Sequence, residues 1–264
     1  MRARHAFRAA IPMSIALGLA APAIGATAQE SPGAAVRGSQ APTADALVRA
    51  LEKLMYPDAR TTLRLRFRSS EGRDEQYEMV CYTRERNGKI IVRMAAPAEQ
   101  IGNDILMLDQ NVWTYDRAAN RVIKVASNQS FGGTGFSYGD VVRLNFSSNY
   151  DAALEGETPD TYLLELTAKH RNAPYYRIAL TVAKRGGWPV SGTYYAQSGS
   201  VVKEITYSDI RDTGFGRKPV TLTVRTPLDP GSVNVMSVVR EESKDLPDRI
   251  FNKRNLETRL EEKL

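Results

Sequence analysis

Residues 61–70 read Thr-Thr-Leu-Arg-Leu-Arg-Phe-Arg-Ser-Ser, so that Leu63, Leu65 and Phe67 alternate with Arg64, Arg66 and Arg68. A strand turns successive side chains to opposite faces, and this period of two predicts a half-buried antiparallel strand. The same period returns at Tyr77–Glu85, Lys89–Ala95, Asp104–Asp109, Val112–Tyr115 and Arg121–Val125. Asn87-Gly88 and Asp109-Gln110-Asn111 separate these runs, and Asn-Gly between two strand patterns is a strong hairpin signal. A second set follows at Thr161–Ala168, Tyr175–Ala183, Gly192–Gln197, Val201–Asp209, Val220–Thr226 and Val233–Val239.

Three segments depart from this period. Thr43 precedes Leu47, Val48, Leu51, Leu54 and Met55 at helical spacing, and Pro57 ends that run, which predicts one amphipathic helix. Residues 126–160 interrupt the strands: Ser127–Gly135 is polar and Gly-rich, and Ser137 to Phe146 suggests a short helix capped by Ser137. The charged end, Asp245–Leu264, has Phe251, Leu256 and Leu260 as apolar contacts and predicts a short terminal helix. Together these elements predict a mainly β (α+β) protein. Its centre is one large curved antiparallel sheet or incomplete β-barrel, with short helices packed on the concave face. No internal repeat stands out.

The N-terminus carries Arg2, Arg4 and Arg8 without an acid, then a largely apolar stretch from Ala9 to Ala26 ending in Ala26-Thr27-Ala28. Charge, length and small residues at the cleavage positions predict a secretory signal peptide over residues 1–28. Pro12, Gly18, Pro22 and Gly25 argue against a stable spanning helix there. The segment has no cysteine to lipidate, so the expected product is periplasmic and untethered. Residues 29–42, rich in Pro, Gly and Ser, read as a flexible leader, and 43–264 as a single domain. Without the three signal arginines the formal charge falls from +6 to about +3, far from the concentrated positive surface that nucleic acid requires.

Catalytic sets are thin. Cys81 is the only cysteine, which excludes an intramolecular disulfide, and its place between Val80 and Tyr82 reads as a buried core position. After signal cleavage only His170 remains, beside Arg171 and Asn172, where a solvated turn histidine is expected. One histidine and one cysteine make no His-metal or zinc cluster, so neither metal nor cofactor is expected. Gly132-Gly133-Thr134-Gly135 lacks the Gly-Lys-[Ser/Thr] ending of a phosphate loop.

Binding features are richer. Met79, Met94, Met107 and Met236 fall in strand-like segments, where a flexible thioether adapts to irregular apolar ligands. Trp113, Tyr115, Phe131, Phe136 and Tyr138 gather around the interruption, where a lid over the concave face would sit. Ordinary core filling explains any one of them; as a set they are candidates for an apolar cavity and its lid. Arg64, Arg66 and Arg68 form a basic stripe that reads either as a solvated face discouraging edge pairing or as a contact for anionic headgroups or an acidic partner.

From residue 92 to 140 a series of short motifs occurs in order: Arg93-Met94-Ala95-Ala96-Pro97, Gly102-Asn103-Asp104-Ile105-Leu106, Trp113-Thr114-Tyr115-Asp116, Arg121-Val122-Ile123-Lys124, and Ser130 to Tyr138. Tyr175-Tyr176-Arg177-Ile178, Trp188-Pro189, Tyr194-Tyr195 with Gly199, and Ile250-Phe251 with Asn255-Leu256 continue it. In this order they resemble the outer-membrane lipoprotein-sorting (LolA-like) family over most of residues 45–258. Gly133-Thr134-Gly135, Gly139 and Ala183 stand where that family usually has Gly-Ser-Asp, an acid and an Asp. The resemblance implies an incomplete β-barrel enclosing a cavity for acyl chains. It also implies an inner-membrane transporter and an outer-membrane acceptor as partners.

The expected function is therefore a non-enzymatic periplasmic carrier or chaperone that shields a lipid or lipoprotein acyl chain for transfer between the two membranes. The alternatives are a ligand-sensing envelope module that binds a membrane partner and, last, an envelope hydrolase built on His170.

Overall fold

A computed structural model describes residues 42–85, 88–143 and 146–259. The expected signal peptide, most of the leader, Asn87 of the Asn-Gly turn and Leu260 of the terminal helix lie outside the described residues.

The chain enters through helix α1 (Ala44–Met55), whose first turn is capped by Thr43: its Oγ1 accepts from the Ala46 amide at 3.2 Å. Val48, Leu51 and Met55 bury one face of this helix. Thirteen strands follow: β1 (Arg60–Arg68), β2 (Asp74–Arg84), β3 (Lys89–Ala96), β4 (Ile105–Leu108), β5 (Asn111–Asp116) and β6 (Arg121–Val125), then β7 (Tyr150–Glu157), β8 (Thr161–Ala168), β9 (Arg177–Ala183), β10 (Pro189–Tyr195), β11 (Val201–Asp212), β12 (Arg217–Arg225) and β13 (Val233–Glu242). Between the two sets lie the single-turn helices α2 (Tyr138–Val141) and α3 (Phe146–Asn149), and α4 (Asn255–Thr258) comes near the end. The terminal helix of the sequence reading is thus one turn, inside an otherwise irregular strap.

All thirteen strands form one antiparallel sheet in the order β6-β5-β4-β3-β2-β1-β13-β12-β11-β10-β9-β8-β7. Two meanders are sewn together where β1 pairs with β13, Leu65 opposite Met236. The sheet is not closed, because β6 and β7 are its two edges. This is the expected fold class, with one strand more than the sequence showed: β7 lies inside the stretch read as an interruption. Only Tyr150 of β7 is buried, because an edge strand has one neighbour, and so it lacks the alternation that marks the others.

The topology dictates where the lid must lie. Residues 126–149 join β6 to β7, so they link the two opposite edges and cross the concave face. Phe131, Phe136 and Val141 from this crossing are buried in the same core as α1 and the inner side chains of β1, β2, β3, β4, β8, β9 and β13.

A second core lies on the outer face of the β2–β6 arm. Tyr82, Ile91 and Leu106 pack there against Leu246, Ile250, Phe251 and Leu256 of the C-terminal strap. The strap is fixed by a buried ion pair: Arg93 meets Asp104 at 2.8 Å, and its other guanidinium nitrogen donates to the Asn255 carbonyl at 2.7 Å. Asp104 also accepts from the Met94 amide at 2.9 Å. Three of the short ordered motifs, two of them neighbours in sequence and the third 162 residues away, therefore meet at one buried point.

Candidate functional site

Hairpins of an antiparallel meander alternate between the two ends of the sheet, so the β8–β9, β10–β11 and β12–β13 turns share one end. There, between these turns and the crossing loop, lies a cleft of about 1060 Å³. Phe67, Phe136, Ala173, Pro174, Val202 and Leu228 supply its apolar lining, and Ser130, Ser137, Tyr175 and Lys203 its polar part. Pockets for small molecules commonly hold about 300–1,000 Å³ and are mostly apolar with a few placed polar groups.

The crossing loop is built to lie close. Gly132 has φ +59° and Gly133 φ +74°, which L side chains rarely adopt. A Cβ on Gly135 would come within 2.8 Å of the Asn234 side chain. Asn234, fully buried on β13, accepts the Gly135 amide at 2.7 Å and donates to Ser232 at 2.9 Å. Phe131 packs edge-on against Tyr77 at 5.4 Å and Tyr138 at 5.5 Å between centroids.

Behind the cleft wall is a buried polar network. Ser137 caps α2, and the Asp140 carboxylate returns to accept from the Ser137 amide at 2.6 Å, closing a capping box. The same carboxylate is in contact with the ammonium of Lys203, which rises from β11. Tyr175 Oη lies 3.0 Å from Ser137 Oγ and 3.3 Å from Asp140. Lys203 Nζ also stands over the rings of Tyr175, at 4.7 Å, and Tyr194, at 5.4 Å. Burial pushes the Lys203 ammonium below its ordinary range, with Asp140 pulling the other way. Burial, reinforced by Asp140, holds the Tyr175 hydroxyl well above the usual phenol range. The arrangement is a latch that ties the crossing segment to the sheet through one ion pair and two hydroxyls.

The structure divides the candidates read from the sequence. Met79, Met94, Met107 and Met236 all reach the inner core and are nearly fully buried, as are Phe131 and Phe136, with Tyr138 packed against them. Of these, Phe136 lines the cleft; the methionines form the floor beneath the crossing segment. Next to that floor a space between Met55, Leu63, Leu222 and Met236 is about 20 Å³, no more than a water. Trp113 and Tyr115 do not join the set. They have the opposite strand parity and face the outer core, where Lys253 Nζ stands 4.6 Å over the Trp113 ring.

Arg64, Arg66 and Arg68 are exposed on the other face of β1, and two of the three face acids: Arg64 pairs with Glu78 at 3.4 Å and Arg68 with Asp74 at 2.8 Å. Arg66 is opposite Gln76. Cys81 is buried and its thiol is pushed up to about 11 by burial, as suits a core position. His170 departs from the solvated turn that was expected: it is half-buried in the cleft lining, and both ring nitrogens are out of solvent without a hydrogen-bond partner among the described residues. Lys203, Asp140 and Asn234 were missed by the sequence reading.

Among the described residues no three His, Cys, Asp or Glu side chains converge as a metal site, and no helix is long and apolar enough to cross a membrane.

Comparison with solved structures places this fold. A LolA superfamily protein from Nitrosomonas europaea superposes with a TM-score of 0.75 at 25% identity, covering 81% of this chain and 100% of the other. A domain assigned as an outer-membrane lipoprotein-sorting protein from Vibrio parahaemolyticus gives 0.70 at 17% identity, covering 81% and 97%. A DUF1329 family protein from Desulfovibrio piger gives 0.70 at 20%, also covering 81% and 97%. No curated protein matches the sequence. A family model described as an uncharacterized protein matches residues 86–258. That match spans well over half of the chain, so the chain belongs to this family, and its fold is the outer-membrane lipoprotein-sorting-like fold of the LolA superfamily, as the ordered motifs implied.

Proposed function

We propose that the protein is a periplasmic carrier or chaperone that shields a lipid or lipoprotein acyl chain during transfer between the inner and outer membranes. The observation that carries this reading is the cleft of about 1060 Å³ with its apolar lining, opening where three hairpin turns meet a crossing loop. Burying an acyl chain is worth ~0.8 kcal/mol per CH₂, hence on the order of 10 kcal/mol for one long chain. The cleft takes the first part of such a chain. Lifting the Phe131–Tyr138 stretch admits the rest onto the floor of Met79, Met94, Met107 and Met236, whose thioethers adapt to its shape. Binding then competes with the latch, and release restores it.

Export through residues 1–28 and a single domain over 43–264 belong to the same reading, as do an inner-membrane transporter as donor and an outer-membrane acceptor. Of the basic stripe, Arg66 is the member without an ion pair among the described residues, and it offers the contact to an acidic partner. The test is native mass spectrometry of the protein purified from its native envelope. Co-purified acyl lipid or lipoprotein supports the reading; an empty protein that also fails to take up acyl probes ends it.

A further inference from the structure

The rim of the cleft is chemically lopsided. On one side the β12–β13 turn contributes Leu228, 93% exposed, and Asp229, the only carboxylate in the lining. On the other, two hairpins away in strand order, the β8–β9 turn contributes Lys169, His170 and Arg171 in succession. Lys169 is engaged: its Nζ donates to the Ser147 carbonyl at 2.8 Å and lies 3.7 Å from Asp151. Arg171 is exposed and makes no ion pair among the described residues. His170 keeps two buried ring nitrogens without partners among the described residues, a desolvation cost that an arriving oxyanion would reduce by accepting from a ring N–H. Lys203, the other cation of the lining, is committed to Asp140.

The turn is also fixed in place. The Lys169 amide donates to the Asn149 carbonyl at 2.9 Å, the Ala173 amide to the His170 carbonyl at 3.1 Å, and Ser127 Oγ to the Asn172 carbonyl at 3.3 Å. An exposed guanidinium on a fixed turn and an unsatisfied imidazole thus stand beside the apolar lining formed by Ala173, Pro174 and Phe136. We infer that the β8–β9 turn is a headgroup site, and that the ligand is an anionic amphiphile. Its phosphate or carboxylate sits on Arg171 and His170, and its chain runs inward past Phe136. The planar guanidinium suits such oxyanions because it offers two parallel donors. This inference rests on the carrier reading and narrows it, since the thioether-linked diacylglyceryl group of a lipoprotein carries no such anion.

The test uses the full protein from its native envelope, stripped of lipid, and titrates it with palmitate, lysophosphatidate, uncharged methyl palmitate and inorganic phosphate. The anionic lipids should bind at least about tenfold tighter than the ester. Arg171→Gln and His170→Gln should each weaken the anionic lipids and so close that gap with the ester. Equal affinity for charged and uncharged chains in the unmodified protein overturns the headgroup site and leaves the carrier reading standing. Failure of every acyl probe to bind overturns both. Inorganic phosphate binding as tightly as lysophosphatidate overturns the amphiphile and leaves a plain anion site.

Discussion

The two arms of the sheet are built from the same kind of hairpin but differ in what covers them. The β2–β6 arm is buried on both faces, by the inner core on one side and by the C-terminal strap on the other. The β7–β11 arm is buried on its inner face alone, and its inner side chains include Lys203 and three tyrosines, Tyr150, Tyr194 and Tyr207. In the first arm apolar packing covers both faces, and the hollow of about 480 Å³ beside Val80, Tyr82 and Met94 is walled in part by Arg60, Arg93, Lys244 and Arg259. The second arm, with polar groups in its wall and the cleft at its end, keeps the parts a ligand could displace. The contrast assigns stability to one arm and exchange to the other.

The sharpest way to break that assignment is Asp104→Ala in the covered arm. It leaves the Arg93 guanidinium buried without its carboxylate, a loss of about 3–5 kcal/mol. The urea midpoint should fall accordingly, and the strap around Phe251 and Leu256 should become open to proteolysis. A variant of unchanged stability would show that the strap, not the ion pair, holds this arm together.

Lys203→Met makes the matching cut in the other arm. Asp140 keeps Ser137 and Tyr175 as partners, so the cost should sit near the low end, about 3 kcal/mol. The double variant Asp140→Asn with Lys203→Met should recover part of it, because no unpaired charge remains. A double-mutant cycle with no coupling between the two positions would remove the latch from the account.

How much of this contrast the sequence revealed follows from the covering. Ile90-Ile91-Val92 and Ile105-Leu106-Met107 are apolar on both beats of the strand period because both their faces are buried, and the turn residues that flank them mark them as strands. The four methionines were legible as a set from their place in strand-like segments, and strand parity turns all four inward. Parity also separates Trp113 and Tyr115 from that floor, since Val112 and Thr114 take the inward phase of β5, whereas nearness in sequence to the interruption groups them with the lid. The latch was hidden because each half looks ordinary alone. Its one local sign is phase: Lys203 falls on the inward beat with Ile205 and Tyr207, and Asn234 on the inward beat with Met236. A polar residue on an apolar beat marks a partner arriving from elsewhere in the chain. Edge strand β7 gave no sign, because one side of it meets no neighbour.

A subtler difference between the arms should appear in alkali. Burial raises the hydroxyls of Tyr150, Tyr175, Tyr194 and Tyr207, the last to about 12, so they stay protonated in the fold after free tyrosines ionise near about 10. Above that value the unfolded chain binds fewer protons than the folded one, and stability falls with rising pH. Lys203 and Lys218, both lowered by burial, act in the opposite sense up to about 10.4, but they are two groups against seven, since burial raises Tyr56, Tyr77 and Tyr138 as well. Denaturant titrations above pH 10 should therefore show declining stability, and ultraviolet phenolate absorbance should lag for the buried tyrosines until unfolding. If all tyrosines ionise together while the protein remains folded, the inner face of this arm is wetter than its packing implies.

The smallest effect tests which segment moves. Ser137→Ala and Thr43→Ala remove the same kind of cap, one from α2 in the crossing segment and one from α1, and each should cost about 1 kcal/mol. Their effects on ligand affinity should differ. If acyl-chain binding must lift the crossing segment, weakening its closed form by that amount favours the bound state, and Ser137→Ala should bind an acyl probe up to about fivefold tighter. Thr43→Ala weakens a helix that lies outside the competition, so its affinity should not change. Equal shifts in both variants would mean that the whole concave packing loosens as a unit, and the crossing segment would lose its special place as the moving part.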